Sequence, residues 1–209
     1  MNTLETYGIV PISYNIVAES LPNYRSPHDR VSRLAQQGQL IRLKRGVFVV
    51  APEISHQTLS MELIANHIYG PSYVSLESAL RYYGLIPERV YVTRSITTKR
   101  ARNFTTPLGE FEYLTMPANY YSVGIRQLVF EEEYSFLMAT PEKAISDLII
   151  TTSGLRIQSA RAMREYLSED LRIDFDEHEN WDLDILRACI ENGRKRRELR
   201  FLLEVLQNG

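Results

Sequence analysis

Apolar residues recur at helical spacing in one short segment near the start of the chain. Val31, Leu34 and Ala35 occupy positions i, i+3 and i+4, which lie on one face of a helix. Gly38 follows as a natural C-terminal stop. The pattern therefore predicts a short helix with a narrow buried seam and a polar front.

The residues before this seam are typical of a helix N-terminus. Ser26 can cap the helix, Pro27 suits its first position, and Asp29 completes a capping box. The side chains on the other faces are polar or cationic; they are His28, Arg30, Ser32, Arg33, Gln36 and Gln37. The front of this helix is therefore expected to be positively charged.

Helical spacing then gives way to alternation. In LIRLKRGVFVV, residues 40–50, apolar and basic side chains alternate, as in a half-buried strand. Arg45-Gly46 makes a tight turn, because Gly46 can take a positive φ, and a second strand follows over 47–50. The segment is predicted to be a β-hairpin with a basic edge and tip.

Two further helices are predicted upstream, a short one over residues 2–7 and a longer one over 13–21 that buries Ile16, Val17 and Leu21. The order of two helices, a cationic helix and a basic hairpin is that of a winged helix-turn-helix. In such modules the last helix enters the DNA major groove, and the hairpin contacts the backbone or the minor groove. Residues 1–52 are therefore predicted to form a DNA-binding domain.

The sequence changes character after a linker over residues 52–57. The pattern predicts helices and β-branched or aromatic strands in the remainder, at helices 59–69 and 75–84, strands 90–98, 110–115 and 121–129, and helices beginning at Thr140 and covering 159–167, 183–191 and 198–206. Residues 58–209 are therefore expected to form an α+β domain with a small mixed or antiparallel sheet and several helices.

Charge is unevenly distributed along the chain. The 209 residues carry 24 Lys or Arg and 26 Asp or Glu, a net charge of −2. The segment 23–50 nevertheless holds six basic residues and one acidic residue, Asp29. A solvated charged face would explain an isolated run of this kind. The capped helix, basic face and basic hairpin together favour double-stranded DNA as the partner, because Arg suits both phosphate oxygens and guanine edges.

The chemistry-bearing residues form no recognised catalytic or metal motif. The four His residues make no H-x-x-x-H pair, and phosphate-binding and nucleophile-elbow motifs are absent. Asp174, Asp176, Glu177, His178 and Glu179 lie close together, but an acidic loop is a commoner explanation than a metal site. The single Cys189 excludes an internal disulfide and is expected in the core. We expect neither an enzyme nor a cofactor.

Two other basic clusters have no assigned partner. One comprises Arg89, Arg94, Lys99, Arg100 and Arg102, and the other Arg194–Arg197 with Arg200. Pairing with the acidic stretch 169–184, contact with DNA phosphates, and contact with an acidic protein all remain open. The chain shows neither a signal-peptide pattern nor a membrane-length apolar run, so a cytoplasmic protein that does not enter the membrane is expected.

Three segments resemble the AbiEi family of antitoxins from bacterial abortive-infection systems. They are RLAQQGQLIRLKRGVFVV (33–50), YVSLESALRYYGLIPE (73–88) and ATPEKAISDLI (139–149). The resemblance implies a repressor whose winged helix binds inverted repeats in its own promoter. Inverted repeats are usually occupied by a dimer or cooperatively, so such an assembly on DNA is expected. It also implies a second domain that neutralises a nucleotidyltransferase-like toxin.

By motif position, the candidate DNA contacts are Tyr24, Arg25, Ser26, His28, Arg30, Arg33, Arg42, Lys44 and Arg45. Two other functions stay open. The chain could be a stand-alone winged-helix transcription factor whose second domain senses a ligand or mediates dimerisation. It could also be a nucleic-acid enzyme that uses the acidic cluster to bind a metal, although no carboxylate motif supports this.

Overall fold

A computed structural model describes residues 4–20, 26–130, 133–173 and 180–208. The chain folds as an α+β protein with two β-sheets, one of three strands and one of six. The smaller sheet belongs to the N-terminal unit, residues 4–50, and the larger sheet to the second unit, from residue 51 onward. The predicted fold class is confirmed at this level.

The N-terminal unit alternates short helices and strands. Its elements are a 3-10 turn at Glu5–Tyr7, β1 (Ile12–Ser13), α1 (Tyr14–Glu19), α2 (Pro27–Gln36), β2 (Leu40–Lys44) and β3 (Val47–Val50). The strands form an antiparallel sheet in the order β1-β3-β2. The predicted cationic helix and hairpin are therefore both present.

A small apolar core holds α1 and α2 against this sheet. Val31 and Leu34 of α2 are buried there with Val17 of α1, as predicted from their spacing. The prediction for Ile16 is wrong: its side chain is 43% exposed, because α1 has only six residues and turns a single position, Val17, fully inward. The predicted burial of Leu21 lies outside the described residues.

The hairpin is covered on both faces. Phe48 and Val50 pack into the small core, whereas Leu43 and Val49 belong to the larger core of the second unit. A strand buried on both sides reads as a continuous apolar run, as VFVV does. The hairpin therefore packs against both units.

The second unit contains most of the helices. Its elements are α3 (Pro52–Ser55), α4 (Met61–Ile68), β4 (Ser72–Val74), α5 (Leu76–Tyr82), β5 (Val92–Thr97), β6 (Arg102–Thr106), β7 (Gly109–Thr115), α6 (Ala118–Tyr121), β8 (Ile125–Phe130), β9 (Tyr134–Ala139), α7 (Pro141–Thr151), α8 (Ala160–Glu165), a π-helical turn at Tyr166–Asp170, α9 (Leu183–Asn192) and α10 (Arg196–Gln207). The predicted linker thus contains one helical turn, α3.

The larger sheet is mixed and has the strand order β6-β7-β5-β4-β9-β8. The inner pairs β5/β7 and β4/β9 are parallel, and β4/β5 is antiparallel. The outer strands β6 and β8 pair antiparallel with their neighbours. The predicted strand 121–129 is wrong in its first part, because α6 continues to Tyr121 and the strand begins only after Gly124, whose φ is +62°.

Helix α7 lies at the centre of the second unit, with every residue from Pro141 to Ile149 buried. Its predicted cap is confirmed, since the Thr140 side chain accepts a hydrogen bond from the Lys143 amide. The predicted cap of α5 is wrong. The Ser75 hydroxyl donates to the Asp147 carboxylate instead, at 2.6 Å.

Candidate nucleic-acid interface

The front of α2 carries the first group of candidate side chains. His28 and Arg33 are exposed, whereas Arg30 is half-buried. The apolar seam behind them, formed by Val31 and Leu34, fixes the helix on its sheet and so fixes the direction of this front. Tyr14 of α1 contacts the His28 ring, with centroids 6.0 Å apart.

The predicted capping box of α2 is wrong. Ser26 is exposed and makes no side-chain cap hydrogen bond among the described residues. The Asp29 carboxylate lies 3.9 Å from His28 Nδ1, on the solvent side of the helix, where water can satisfy both groups. Asp29 therefore places one negative charge beside the cationic front.

The β2–β3 hairpin supplies the second group. Arg42 is exposed and lies directly across from Phe48, on the sheet face that packs against the helices. Arg45 is exposed in the turn, where Gly46 takes a φ of +77°. The ion pairs of the described residues include no carboxylate partner for Arg33, Arg42 or Arg45. The front of α2 and the hairpin thus expose positive charge that no carboxylate of the described residues neutralises.

Lys44 points away from this group, toward the second unit. Its ammonium donates a hydrogen bond to the Ile68 carbonyl at the end of α4. Burial lowers the pKa of Lys44, and repulsion from Arg102 and Lys99 lowers that pKa further. The candidates Tyr24 and Arg25 lie outside the described residues.

Lys44 therefore belongs to a second cationic group, here called the β6 patch: Lys44, Lys99, Arg100 and Arg102. Lys99 donates to the Gly70 carbonyl, two residues beyond the acceptor of Lys44. The Arg100 carbonyl accepts from the Tyr69 hydroxyl at 3.1 Å. The ammonium of Lys99 lies 5.4 Å from the Tyr69 ring centroid.

The remaining basic residues of the first unassigned cluster are used differently. Arg94 is held between two carboxylates, with Nη1 2.7 Å from Glu77 and Nε 2.6 Å from Glu112. Burial lowers the pKa of Arg94, but the two carboxylates together raise it. Arg89 lies over the exposed ring of Tyr91. These two arginines are separate from the β6 patch.

Two residues of the C-terminal basic cluster bind main-chain carbonyls. Lys195 donates to the carbonyls of Ile149 and Thr152, at 2.9 and 2.6 Å, and thereby caps the C-terminus of α7. Arg196 donates to the carbonyls of Glu191 and Gly193. Helix capping is therefore a further use of these charges, beyond the three uses considered from sequence.

A buried polar cluster in the second unit was missed from sequence. Lys143 and Asp147 form an ion pair of 3.0 Å in which both side chains are fully buried. The Asp147 carboxylate also accepts from Tyr73 at 3.0 Å and from Ser75 at 2.6 Å. The Lys143 ammonium donates to the Tyr120 carbonyl at 3.1 Å. The i, i+4 spacing of Lys143 and Asp147 could have indicated the pair, but not its burial.

No metal-binding group of three or more His, Cys, Asp or Glu occurs among the described residues. The acidic stretch from Asp174 to Glu179 lies outside them. Cys189 is buried in the large core, as predicted, and burial raises the pKa of its thiol. Within the described ranges, no helix has the length and apolar character needed to span a bilayer.

Comparison of the chain with protein-family models and with curated proteins gave no match.

Proposed function

We propose that this chain is a DNA-binding transcriptional repressor that also acts as the antitoxin of a bacterial toxin–antitoxin pair. Its N-terminal unit would bind inverted repeats in its own promoter as a winged helix. Its second unit would neutralise a nucleotidyltransferase-like toxin. The observation that carries the DNA-binding part is the exposed positive charge of Arg33, Arg42 and Arg45, for which the described residues offer no carboxylate partner.

The order of elements supports the winged-helix assignment. A strand lies before α1, two strands follow α2, and the sheet order β1-β3-β2 places the late hairpin beside the early strand. In this arrangement α2 would enter the major groove and the β2–β3 turn would act as the wing. The exposed His28 and Arg33 would then face base edges or phosphates.

The β6 patch supports a footprint that extends beyond the N-terminal unit. Lys99, Arg100 and Arg102 are exposed, and the described residues offer them no carboxylate partner. Through Lys44 they adjoin the hairpin whose tip carries Arg45. A DNA backbone that follows the wing would meet this patch next, and the contacts would add affinity without sequence information.

The antitoxin assignment rests on the AbiEi resemblance. Two of the three matching segments meet inside the second unit, where Tyr73 and Ser75 of one bind Asp147 of the other. These motif residues are buried, so we infer that they stabilise the unit rather than contact a toxin. The neutralising surface would therefore consist of other, exposed side chains.

A stand-alone transcription factor that senses a ligand is the second candidate. It is favoured by a cleft of about 550 Å³ between α5, β5 and the π-helical turn, lined in part by Arg89, Tyr91 and Arg172. Co-expression with the protein of the adjacent reading frame, where that frame encodes a nucleotidyltransferase-like toxin, separates the two functions. Rescue of growth supports the antitoxin, whereas continued toxicity contradicts it.

The DNA-binding proposal is tested by fluorescence anisotropy on the duplex upstream of the gene. Arg33→Glu and Arg42→Glu should each weaken binding by tenfold or more, on the order of 1–3 kcal/mol for a lost base or phosphate contact with added repulsion. Arg161→Glu is the matched control, because Arg161 is exposed on α8 and pairs only locally with Glu165. Equal binding by all three variants would exclude this surface.

A further inference from the structure

The two edges of the six-stranded sheet differ in how they are protected. The outer strand β6 begins at Arg102, ends before Pro107 and is flanked by Lys99 and Arg100, which are typical devices against edge-to-edge pairing. The outer strand β8 has no proline and one charged residue, Arg126. Within the strand itself β8 is therefore the less protected edge, although three glutamates, residues 131–133, follow it in the sequence.

The β8 strand also exposes apolar side chains. Val129 is 64% exposed and Phe130 is 44% exposed. On the neighbouring strand, Leu137 lies directly across from Gln127 and is 39% exposed. Val129 and Leu137 lie on one face of the sheet and Phe130 on the other, because successive residues of a strand alternate between faces. Exposed apolar side chains on an edge strand are typical of a protein-interaction surface.

The outward-facing backbone groups of β8 follow from the hydrogen bonds of Leu137. Its amide donates to Asn66 Oδ1 at 2.6 Å, and its carbonyl accepts from Asn66 Nδ2 at 3.3 Å. Leu137 therefore cannot exchange hydrogen bonds with Gln127, its cross-strand partner. Because the pairs of an antiparallel ladder alternate, Ile125, Gln127 and Val129 direct their N–H and C=O groups away from β9.

We propose that β8 pairs antiparallel with β8 of a second copy of this chain, about a two-fold axis at Leu128. The pairing would join two six-stranded sheets into one continuous sheet. Gln127 and Val129 would exchange their free backbone hydrogen bonds with Val129 and Gln127 of the partner subunit. The contact is isologous, as in most homodimers.

Side-chain complementarity argues for a second copy and for this register. With the axis at Leu128, Arg126 lies across from Phe130 of the partner subunit, and the same pair recurs by symmetry. A guanidinium against an exposed aromatic ring is a favourable cross-strand pair. The register also keeps the two Arg126 side chains from facing each other. The inference does not require DNA binding, but a two-fold dimer would match the inverted repeats of the proposed function.

Sedimentation equilibrium without DNA, across the micromolar range, tests the proposal. The wild-type chain should approach twice the monomer mass as its concentration rises. Phe130→Lys should weaken dimerisation by about tenfold, because it places like charges across from each other twice. Phe130→Glu is the matched variant. It loses the same ring stacking on Tyr134 but gains two ion pairs with Arg126, so it should dimerise at least as well as the wild type.

Hydrogen exchange provides an internal control. The amides of Gln127 and Val129 should exchange more slowly as concentration rises, whereas those of Arg126 and Leu128, already directed toward β9, should not change. A monomer at all concentrations would overturn the proposal, and so would equal effects of Phe130→Lys and Phe130→Glu. Protection of β8 only on addition of another protein would overturn it and assign the edge to that protein. None of these outcomes bears on DNA binding, which is measured in a separate experiment.

Discussion

At the residue scale, Asp147 shows how much of the second unit depends on one buried carboxylate. It accepts hydrogen bonds from Tyr73 and Ser75 and pairs with Lys143, so it links β4, the start of α5 and α7. Burial lowers the pKa of Lys143, while the nearby Asp147 charge raises it. The pair is stable only because each charge compensates the other.

Replacing only one of the two charged residues should therefore lower the free energy of unfolding more than replacing both. Asp147→Ala should lower the free energy of unfolding by about 3–5 kcal/mol, because it leaves the buried Lys143 ammonium without a counter-ion and the Tyr73 and Ser75 hydroxyls without their acceptor. The double variant Lys143→Met, Asp147→Leu should be less destabilised than Asp147→Ala. Urea unfolding at constant m-value measures both.

The control is Asp184→Ala, because Asp184 pairs with Arg187 in solvent and should contribute less than about 1 kcal/mol. A double variant that is less stable than Asp147→Ala would contradict the account of the pair.

Buried tyrosines set the alkaline limit of stability. Burial raises the pKa of Tyr73, Tyr113 and Tyr120, and it raises the pKa of Tyr83 to about 12. Below the unfolded pKa of about 10, both states keep these protons and the stabilising contribution is complete. Above it the unfolded chain loses protons that the folded chain retains, so stability falls as pH rises. Lys44 and Lys143, whose pKa values are lowered, act in the opposite direction, but their effect is complete once the pH exceeds the ordinary lysine pKa of 10.5.

The expected result is a steep loss of unfolding free energy above about pH 10, with up to about 1.4 kcal/mol per pH unit from each tyrosine. Tyr83→Phe should make the slope of unfolding free energy against pH shallower, because one proton fewer is released on unfolding. It should cost little at neutral pH, because the described residues offer the buried Tyr83 hydroxyl no hydrogen-bond partner. Guanidinium unfolding at stepped pH measures the slope, and an unchanged slope in Tyr83→Phe would contradict the assignment.

At the element scale, β8 begins where the chain passes close to two helices. A Cβ added at Gly124 would lie 2.8 Å from Cγ2 of Ile185 on α9 and 2.9 Å from Cβ of Lys143 on α7. The φ of +62° also disfavours any other residue. Gly124 therefore permits both the turn into β8 and the packing of that turn on α7.

Gly124→Ala should destabilise the protein by about 2–4 kcal/mol through backbone strain and overpacking together. Gly154→Ala separates the two causes, because Gly154 has a φ of +74° but open space around it. It should cost only about 1–2 kcal/mol. Thermal unfolding of both variants measures the difference, and equal losses would mean that the contact with α7 and α9 is unimportant.

Elements specified by residues close together in the sequence could be predicted, and the other elements could not. The seam of α2, the Gly46 turn and the Thr140 cap all depend on neighbouring residues, and the structure contains each of them. The strands β4, β6 and β9 were missed because β4 has three residues, β6 is a polar edge strand, and β9 is an apolar run without alternation. The contacts of side chains that reach from one unit to the other, such as that of Lys44 with Ile68, could be identified only from the tertiary structure.

At the scale of the whole molecule, the hairpin determines how the two units are related. Leu43 and Val49 pack into the large core, while Arg42 and Arg45 stay exposed on the same hairpin. The β2–β3 hairpin that carries part of the candidate DNA surface thus also packs against the second unit. Sequence spacing could predict the basic hairpin, but not that both of its strands also contribute to the other core.

DNA binding by this surface is tested by the salt dependence of binding to the duplex upstream of the gene, compared with a scrambled duplex. Binding to the upstream duplex should be tighter than binding to the scrambled duplex, and the log–log slope should flatten by roughly 0.9 for each phosphate contact removed, as in Arg42→Glu. Equal, weak binding to both duplexes, with a slope that Arg42→Glu leaves unchanged, would contradict the claim that this surface binds DNA.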